Sequence, residues 1–134
     1  MTRKLFVLIV ILGLMLVSCG ESGPVTTIKL ILTDFQFSPN TFTVPAGQEI
    51  TFDAQNQGAV VHNFVIMRLG TNVGEAFDDS DVPNIYWQHE LQPGGDVKTS
   101  FTAPSEPGEY QIVCSVEGHF MAGMVGKLVV VADE

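Results

Sequence analysis

Short runs in which apolar and polar side chains alternate recur along this chain, and they narrow its possible folds more than any other feature. In residues 27–32, Ile28, Leu30 and Leu32 occupy every second position, and residues 50–54 repeat the pattern. A period of two places such side chains on one face of an extended strand. We therefore expect β-strands, each with one face turned toward a core.

Turn-forming residues separate these runs. Proline, glycine and small polar residues cluster in residues 38–40, 45–47, 92–95 and 105–108, and such clusters end one strand and start the next. The chain from residue 25 onward has no convincing helical stripe of useful length and no regular alternation of strand and helix. This texture predicts an all-β fold, an antiparallel β-sandwich of about seven to eight strands.

Residues 69–90 depart from this texture, because the stretch is long and carries acids at Glu75, Asp78, Asp79 and Asp81. We expect an ordered excursion with room for a short helix, since a structureless loop of this length is uncommon without a role. We interpret its acids as a solvated surface, with a docking patch for a basic cytochrome as the alternative.

The N-terminus has the layout of an export signal. Two basic residues precede the apolar run Leu5–Val17, which is too short to span a bilayer, and small residues follow. Residues 16–19 read Leu-Val-Ser-Cys and resemble a bacterial lipobox, which predicts a signal peptide over residues 1–18. An ordinary signal cut nearby, with Cys19 lost, is the alternative.

On the lipobox interpretation, residues 19–25 consist of the lipidated Cys19 and a linker, ahead of a domain over residues 26–134. The polar stretch Gly20–Pro24 of this linker reaches less than roughly 20 Å at about 3.5 Å per residue, so the domain stays close to the membrane. We therefore expect an exported, membrane-anchored lipoprotein that faces the periplasm or the cell exterior.

The mature domain is acidic. Removal of residues 1–18 lowers the net charge from −9 to −11, because it takes away two of six basic residues and none of fifteen acidic ones. A negative surface repels phosphate backbones and anionic lipid headgroups. The charge therefore argues against nucleic acid as a partner.

Cysteine usage is more informative than charge. If Cys19 is lipidated, Cys114 is the remaining thiol in a compartment where paired cysteines are the norm. Such a thiol is either buried and inert or bound to a ligand.

Cys114 belongs to a pattern of four candidate metal ligands. Cys114, His119 and Met124 form the spacing C-x4-H-x4-M, and His62 lies upstream at the start of another apolar run. Thiolate and thioether are soft ligands that favour Cu(I), whereas imidazole also suits Cu(II). Zinc is the main competitor, but structural zinc sites do not use thioether. We therefore favour copper.

The chain is similar to the cupredoxins over nearly all of the predicted domain. Its landmarks follow the order of that family at residues 37–39, 44–52, 62–64, 103–104, 107–110, 114–124 and 126–128. The spacing of the ligand loop resembles the azurin, auracyanin and rusticyanin type.

The resemblance implies a Greek-key β-sandwich with one type 1 copper, held by His62, Cys114, His119 and Met124. It favours Met124 over Met121 as the axial ligand, because Met124 is followed by x-Gly as in the family. We interpret Met67 as a core residue, Met121 as a partly exposed residue and His89 as a surface residue.

The resemblance also implies a hydrogen bond between Asn63 and Ser115, the residue after the cysteine. Such contacts hold metal ligands in place. The uncharged residues Phe120, Met121 and Ala122 next to His119 predict an apolar docking patch for a redox partner.

Four protein ligands favour an electron carrier rather than an enzyme, since they leave no open position for substrate. A copper-binding or delivery module is the alternative. A copper oxidase or nitrite reductase would need further His-x-His pairs, and a hydrolytic Cys114–His119 pair lacks an identifiable third residue. The expected partners are membrane-associated redox proteins: a cytochrome c, a quinol-oxidising complex, a terminal oxidase or a photosynthetic reaction centre.

Overall fold

Nine β-strands form two sheets in residues 23–132, the part of the chain that the computed structural model describes. The strands are β1 (Thr27–Thr33), β2 (Gln36–Ser38), β3 (Thr41–Pro45), β4 (Glu49–Asn56), β5 (His62–Met67), β6 (Ile85–Leu91), β7 (Asp96–Thr102), β8 (Gly108–Val113) and β9 (Val125–Val131). The predicted signal peptide and the lipidated Cys19 lie outside the described residues.

One sheet has the order β2-β1-β4-β7 and the other the order β3-β9-β8-β5-β6. The predicted all-β fold is confirmed, but the sheets are mixed rather than purely antiparallel. The pairs β1–β4 and β3–β9 are parallel, because the connections cross between sheets and bring distant strands side by side in the same direction. The strand count exceeds the expected seven to eight partly because β2 has only three residues, too few to show a period.

Strands β1 and β4 have the predicted alternation of buried and outward-facing side chains. Ile28, Leu30 and Leu32 are buried in β1 while their neighbours point outward, and β4 alternates in the same way. Their inward faces meet the other sheet around Phe64, which is fully buried. This burial of apolar area is the main driving force for closing the sandwich.

Strand β5 is buried at all six positions, because both of its faces are covered. One face meets the core between the sheets. On the other, Val65 and Met67 join Val113 and the excursion residue Val73 in a second apolar cluster. The interpretation of Met67 as a core residue is therefore confirmed.

The excursion of residues 69–90 is ordered, and it covers the outer face of β5. Its helical content is a single 3₁₀ turn, Val82–Asn84, and its C-terminal part is strand β6. Glu75, Asp78 and Asp79 are exposed, as expected for a solvated surface. Among residues 23–132, no helix is long and apolar enough to cross a membrane.

Candidate metal centre

Strand ends place the predicted ligands at one pole of the sandwich. His62 is the first residue of β5, Cys114 directly follows β8, and the loop between β8 and β9 carries His119 and Met124. Strands β5 and β8 are antiparallel neighbours. The start of β5 therefore lies beside the end of β8, although some fifty residues of chain separate them.

Three ligand atoms face one another at this pole. Nδ1 of His62 lies 3.1 Å from Nδ1 of His119. Sγ of Cys114 lies 3.4 Å from Nδ1 of His119 and 4.0 Å from Nδ1 of His62. All three residues are buried, so the cluster is shielded from water except at the edge of His119.

The ligand loop closes through backbone hydrogen bonds. The N–H of Met124 donates to the carbonyl of His119 at 3.0 Å, and the N–H of Cys114 donates to the carbonyl of Met124 at 3.2 Å. Gly118 and Gly123 have φ values of 81° and 97°, which residues with a Cβ atom rarely adopt. These glycines let the loop reverse direction and return His119 toward Cys114.

The surroundings set the charge of each group. Burial raises the pKa of the Cys114 thiol, while the backbone N–H groups of Asn63 and Val116 act against this by stabilising the thiolate. The Asn63 N–H lies 3.5 Å from Sγ. Burial and the nearby His62 lower the pKa of His119, which leaves a neutral imidazole at neutral pH with a lone pair for a metal.

This donor set fits copper. Atoms that share one ion through bonds of roughly 2.0 to 2.3 Å lie about 3 to 4 Å apart, which is the spacing of the two imidazole nitrogens and the thiol sulfur. A cation also compensates the cost of burying the thiolate. A soft thiolate with two imidazoles is the combination that type 1 copper prefers.

Met124 and Met121 have different surroundings. Met124 is fully buried and belongs to the same core cluster as Cys114, and its backbone is hydrogen-bonded to both loop ligands. Met121 is 71% exposed, which is more than the partly exposed position expected for it. The assignment of Met124 as the axial ligand stays a prediction.

Asn63 and Ser115 join the upstream strand to the ligand loop. The amide nitrogen of Asn63 donates to Oγ of Ser115 at 2.6 Å, and the N–H of Ser115 donates to Oδ1 of Asn63 at 2.7 Å. This pair of bonds provides the hydrogen bond expected between the two residues. It links the strand that begins with His62 to the residue after Cys114.

We expect Asn63→Ala to loosen the site, because it removes both bonds and leaves the Ser115 N–H without its partner. Loss of a partner for such a group costs about 1–3 kcal/mol. The free energy of unfolding should fall by this amount, and electron self-exchange measured by NMR line broadening should become slower.

Ser115→Ala is the matched control, since it removes the hydroxyl but keeps the bond from the Ser115 N–H to Asn63. Its effect should be clearly smaller than that of Asn63→Ala. Equal behaviour of the two variants would show that the backbone bond contributes little.

Asp34 and Phe35, which form the turn between β1 and β2, were not predicted to belong to the site. Oδ1 of Asp34 lies 3.1 Å from Nε2 of His62, and this hydrogen bond holds the pKa of Asp34 below its usual value. The ring of Phe35 contacts that of His119 edge-on, with the centroids 5.1 Å apart. No local pattern marked this turn, because its partners lie 28 and 84 positions away along the chain.

The residues predicted as a docking patch divide into two groups. Met121 and Ala122 are exposed beside His119. Phe120 is half-buried and packs against the second apolar cluster, so it contributes less surface than expected. His89 is also half-buried rather than a plain surface residue, because its ring stacks on Trp87.

The chain matches the family model described as a cupredoxin-like domain over residues 5–130. It is 32% identical to the copper-resistant cuproprotein CopI of Rubrivivax gelatinosus over 114 residues, or 78% of this chain and 66% of that protein. It is 30% identical to auracyanin-B of Chloroflexus aurantiacus over 110 residues, or 70% of this chain and 46% of that protein. The chain therefore spans about two thirds and about half of the lengths of these two relatives.

The fold is also similar to a solved structure. Dithionite-reduced auracyanin from Roseiflexus castenholzii superposes with a TM-score of 0.69 at 31% identity, covering 81% of this chain and 99% of that chain.

Proposed function

This chain belongs to the cupredoxin-like family, and from that premise we propose that it is a mononuclear blue-copper electron carrier that passes single electrons between redox proteins. Its cofactor is one type 1 copper, as in its cupredoxin relatives. We assign the ligands as His62, Cys114, His119 and Met124. When bound, the copper alternates between Cu(I) and Cu(II) and so supplies the one-electron exchange.

The convergence of three buried donor atoms carries this proposal. These atoms belong to His62, Cys114 and His119. His62 and Cys114 are fully buried, as is the predicted axial ligand Met124, and only a small edge of His119 reaches the surface. A site so enclosed gives a substrate no route to the metal, but an electron can leave through the His119 ring. The burial of the ligands and the Asn63–Ser115 contact restrain them, which suits a centre that changes charge without changing shape.

We propose that the carrier is exported and held at the membrane through a lipid on Cys19. The lipobox-like residues 16–19 and the short polar linker support this assignment. A tether raises the local concentration of membrane partners and so compensates for weak binding. Candidate partners are a cytochrome c, a quinol-oxidising complex, a terminal oxidase or a photosynthetic reaction centre.

The test is to add copper to the purified domain and record its visible spectrum. We expect an intense thiolate-to-copper charge-transfer band that bleaches when a reductant is added and returns on reoxidation. If no such band forms, the chain is not a blue-copper carrier.

Electrons should leave beside Met121, because it is the most exposed apolar side chain next to His119 in the described part of the chain. Met121→Lys places a positive charge at this surface. A docking partner would have to remove water from that charge, and desolvation of an unpaired charge costs free energy. We expect an unchanged visible spectrum and electron transfer to a membrane-bound acceptor slowed roughly tenfold, measured by stopped-flow.

Val82→Lys is the matched control, since Val82 is also exposed and apolar but lies on the acidic excursion. It adds the same charge at a different place. If Val82→Lys slows the transfer and Met121→Lys does not, the exit lies on the excursion.

A second candidate function is protection against excess copper. It is favoured by the similarity to CopI, whose name records copper resistance. The test expresses each variant in a strain from which this chain has been deleted. If copper binding alone gives protection, Met121→Lys should restore copper tolerance and Cys114→Ser should not. If tolerance is unaffected by deletion of the chain, this second role is excluded.

A further inference from the structure

Asp34 contacts a predicted copper ligand from outside the ligand set. Its side chain is 41% exposed, yet Oδ1 lies 3.1 Å from Nε2 of His62, whose side chain is fully buried. Among the described residues, Asp34 is the one whose carboxylate lies within hydrogen-bonding distance of the imidazole of a predicted copper ligand. The contact reaches the nitrogen opposite to the one that faces Cys114 and His119.

The contact selects one tautomer of His62. An ionised carboxylate can only accept hydrogen bonds, so Nε2 of His62 must carry the proton of this bond. A neutral imidazole has one proton, and its lone pair then lies on Nδ1. That is the atom directed at the other two ligands, and therefore the one a metal would use.

The loop between β4 and β5 holds Asp34 in this position. The N–H of Ala59 donates to both carboxylate oxygens, at 3.0 and 3.2 Å. Gly58 leaves the necessary room, since a Cβ atom there would come within 3 Å of both Oδ1 of Asp34 and Nε2 of His62. Phe35 has a φ of 68°, a conformation that non-glycine residues rarely adopt. The loop between β4 and β5 and the turn between β1 and β2 therefore both accommodate this contact.

We propose that Asp34 is a positioning residue for the copper site: it orients the His62 ring, keeps its Nδ1 lone pair free, and through its negative charge makes His62 a better ligand for Cu(II) than for Cu(I). A carboxylate behind a metal-binding histidine raises the basicity of that ligand. The role in copper binding rests on the proposed function, whereas the tautomer can be read in the metal-free protein.

The first measurement is the tautomer of His62 by nitrogen-15 NMR of the metal-free domain at pH 8. We expect the form protonated on Nε2 in the native chain. Asp34→Asn should retain it, because the amide oxygen still accepts a hydrogen bond, whereas Asp34→Ala should give a mixture of both forms. A native His62 protonated on Nδ1, or an unchanged tautomer in Asp34→Ala, would overturn the proposal.

The second measurement compares copper binding and reduction potential in folded variants. Asp34→Ala should weaken Cu(II) binding 10- to 100-fold, the range known for lost partners of metal-binding histidines, and both variants should have higher potentials. Glu49→Gln is the control. Asp34 lies near the C-terminal end of β4, whereas Glu49 is the first residue of that strand, so this variant removes one charge roughly 20 Å from Asp34. If its potential rises as much as that of Asp34→Asn, the effect is one of net charge and the proposal fails.

These outcomes separate the two proposals. A native chain that forms no blue band refutes the electron carrier while leaving the tautomer result intact. A blue native chain whose Asp34 variants keep its tautomer, Cu(II) affinity and potential refutes only the role of Asp34. If Asp34→Ala does not fold, Asp34→Asn still tests the charge effect through its potential.

Discussion

Cys114→Ser will lose the blue copper site completely. A serine hydroxyl is neither soft nor easily ionised, so the charge-transfer band that needs a copper–thiolate bond cannot form. Cys114 is fully buried beside His119. It is the one cysteine in residues 23–132, so no other thiol of the described chain can take its place. Titration with copper, followed in the visible region, should show no band at any concentration.

Met124→Leu is the matched comparison, because it removes the other sulfur in the predicted ligand set and keeps the side chain apolar. We expect copper to remain bound in this variant, with a visible band and a changed reduction potential, since an axial thioether is a weak ligand. Loss of copper in Met124→Leu together with its retention in Cys114→Ser would reverse the assignment of the two sulfurs.

Phe64→Ala will lower the free energy of unfolding more than Asn63→Ala does. Phe64 is fully buried, and its ring contacts those of Phe37, Phe42, Phe52 and Trp87 from both sheets. Removal of a buried phenylalanine ring costs about 3–5 kcal/mol, a large part of the 5–15 kcal/mol that typically stabilises a domain. Denaturant unfolding of the metal-free protein should show this loss directly.

Val82→Ala provides the control for apolar truncation, because Val82 is exposed on the 3₁₀ turn. It should change the unfolding free energy by less than about 0.5 kcal/mol. If Phe64→Ala costs as little as Val82→Ala, the two sheets do not depend on this aromatic cluster.

Local pattern determined a large part of this structure. The alternation in residues 27–32 and 50–54 correctly predicted strands and their buried faces, because a side chain's direction in a strand depends only on its position. The chemistry of cysteine, histidine and methionine predicted which residues could bind copper. The order of motifs added the family, and with it the contact between Asn63 and Ser115.

Features that depend on pairing between distant segments could not be predicted from local pattern. The parallel pairs β1–β4 and β3–β9 follow from the way the connections cross between sheets, which no local period encodes. The excursion was recognised as unusual, but its packing on β5 through Val73 depends on a surface formed by other strands. Phe120 turned partly inward for the same reason.

The amino-acid sequence by itself therefore determined the strands, the candidate ligands and the family, since each depends on residue type and spacing. Tertiary structure alone decided that Asp34 meets His62 and that Phe35 meets His119. The physical reason is that the turn between β1 and β2 carries no metal-binding motif of its own. It reaches the metal centre only because the folded sandwich brings it to the same pole as the ligands.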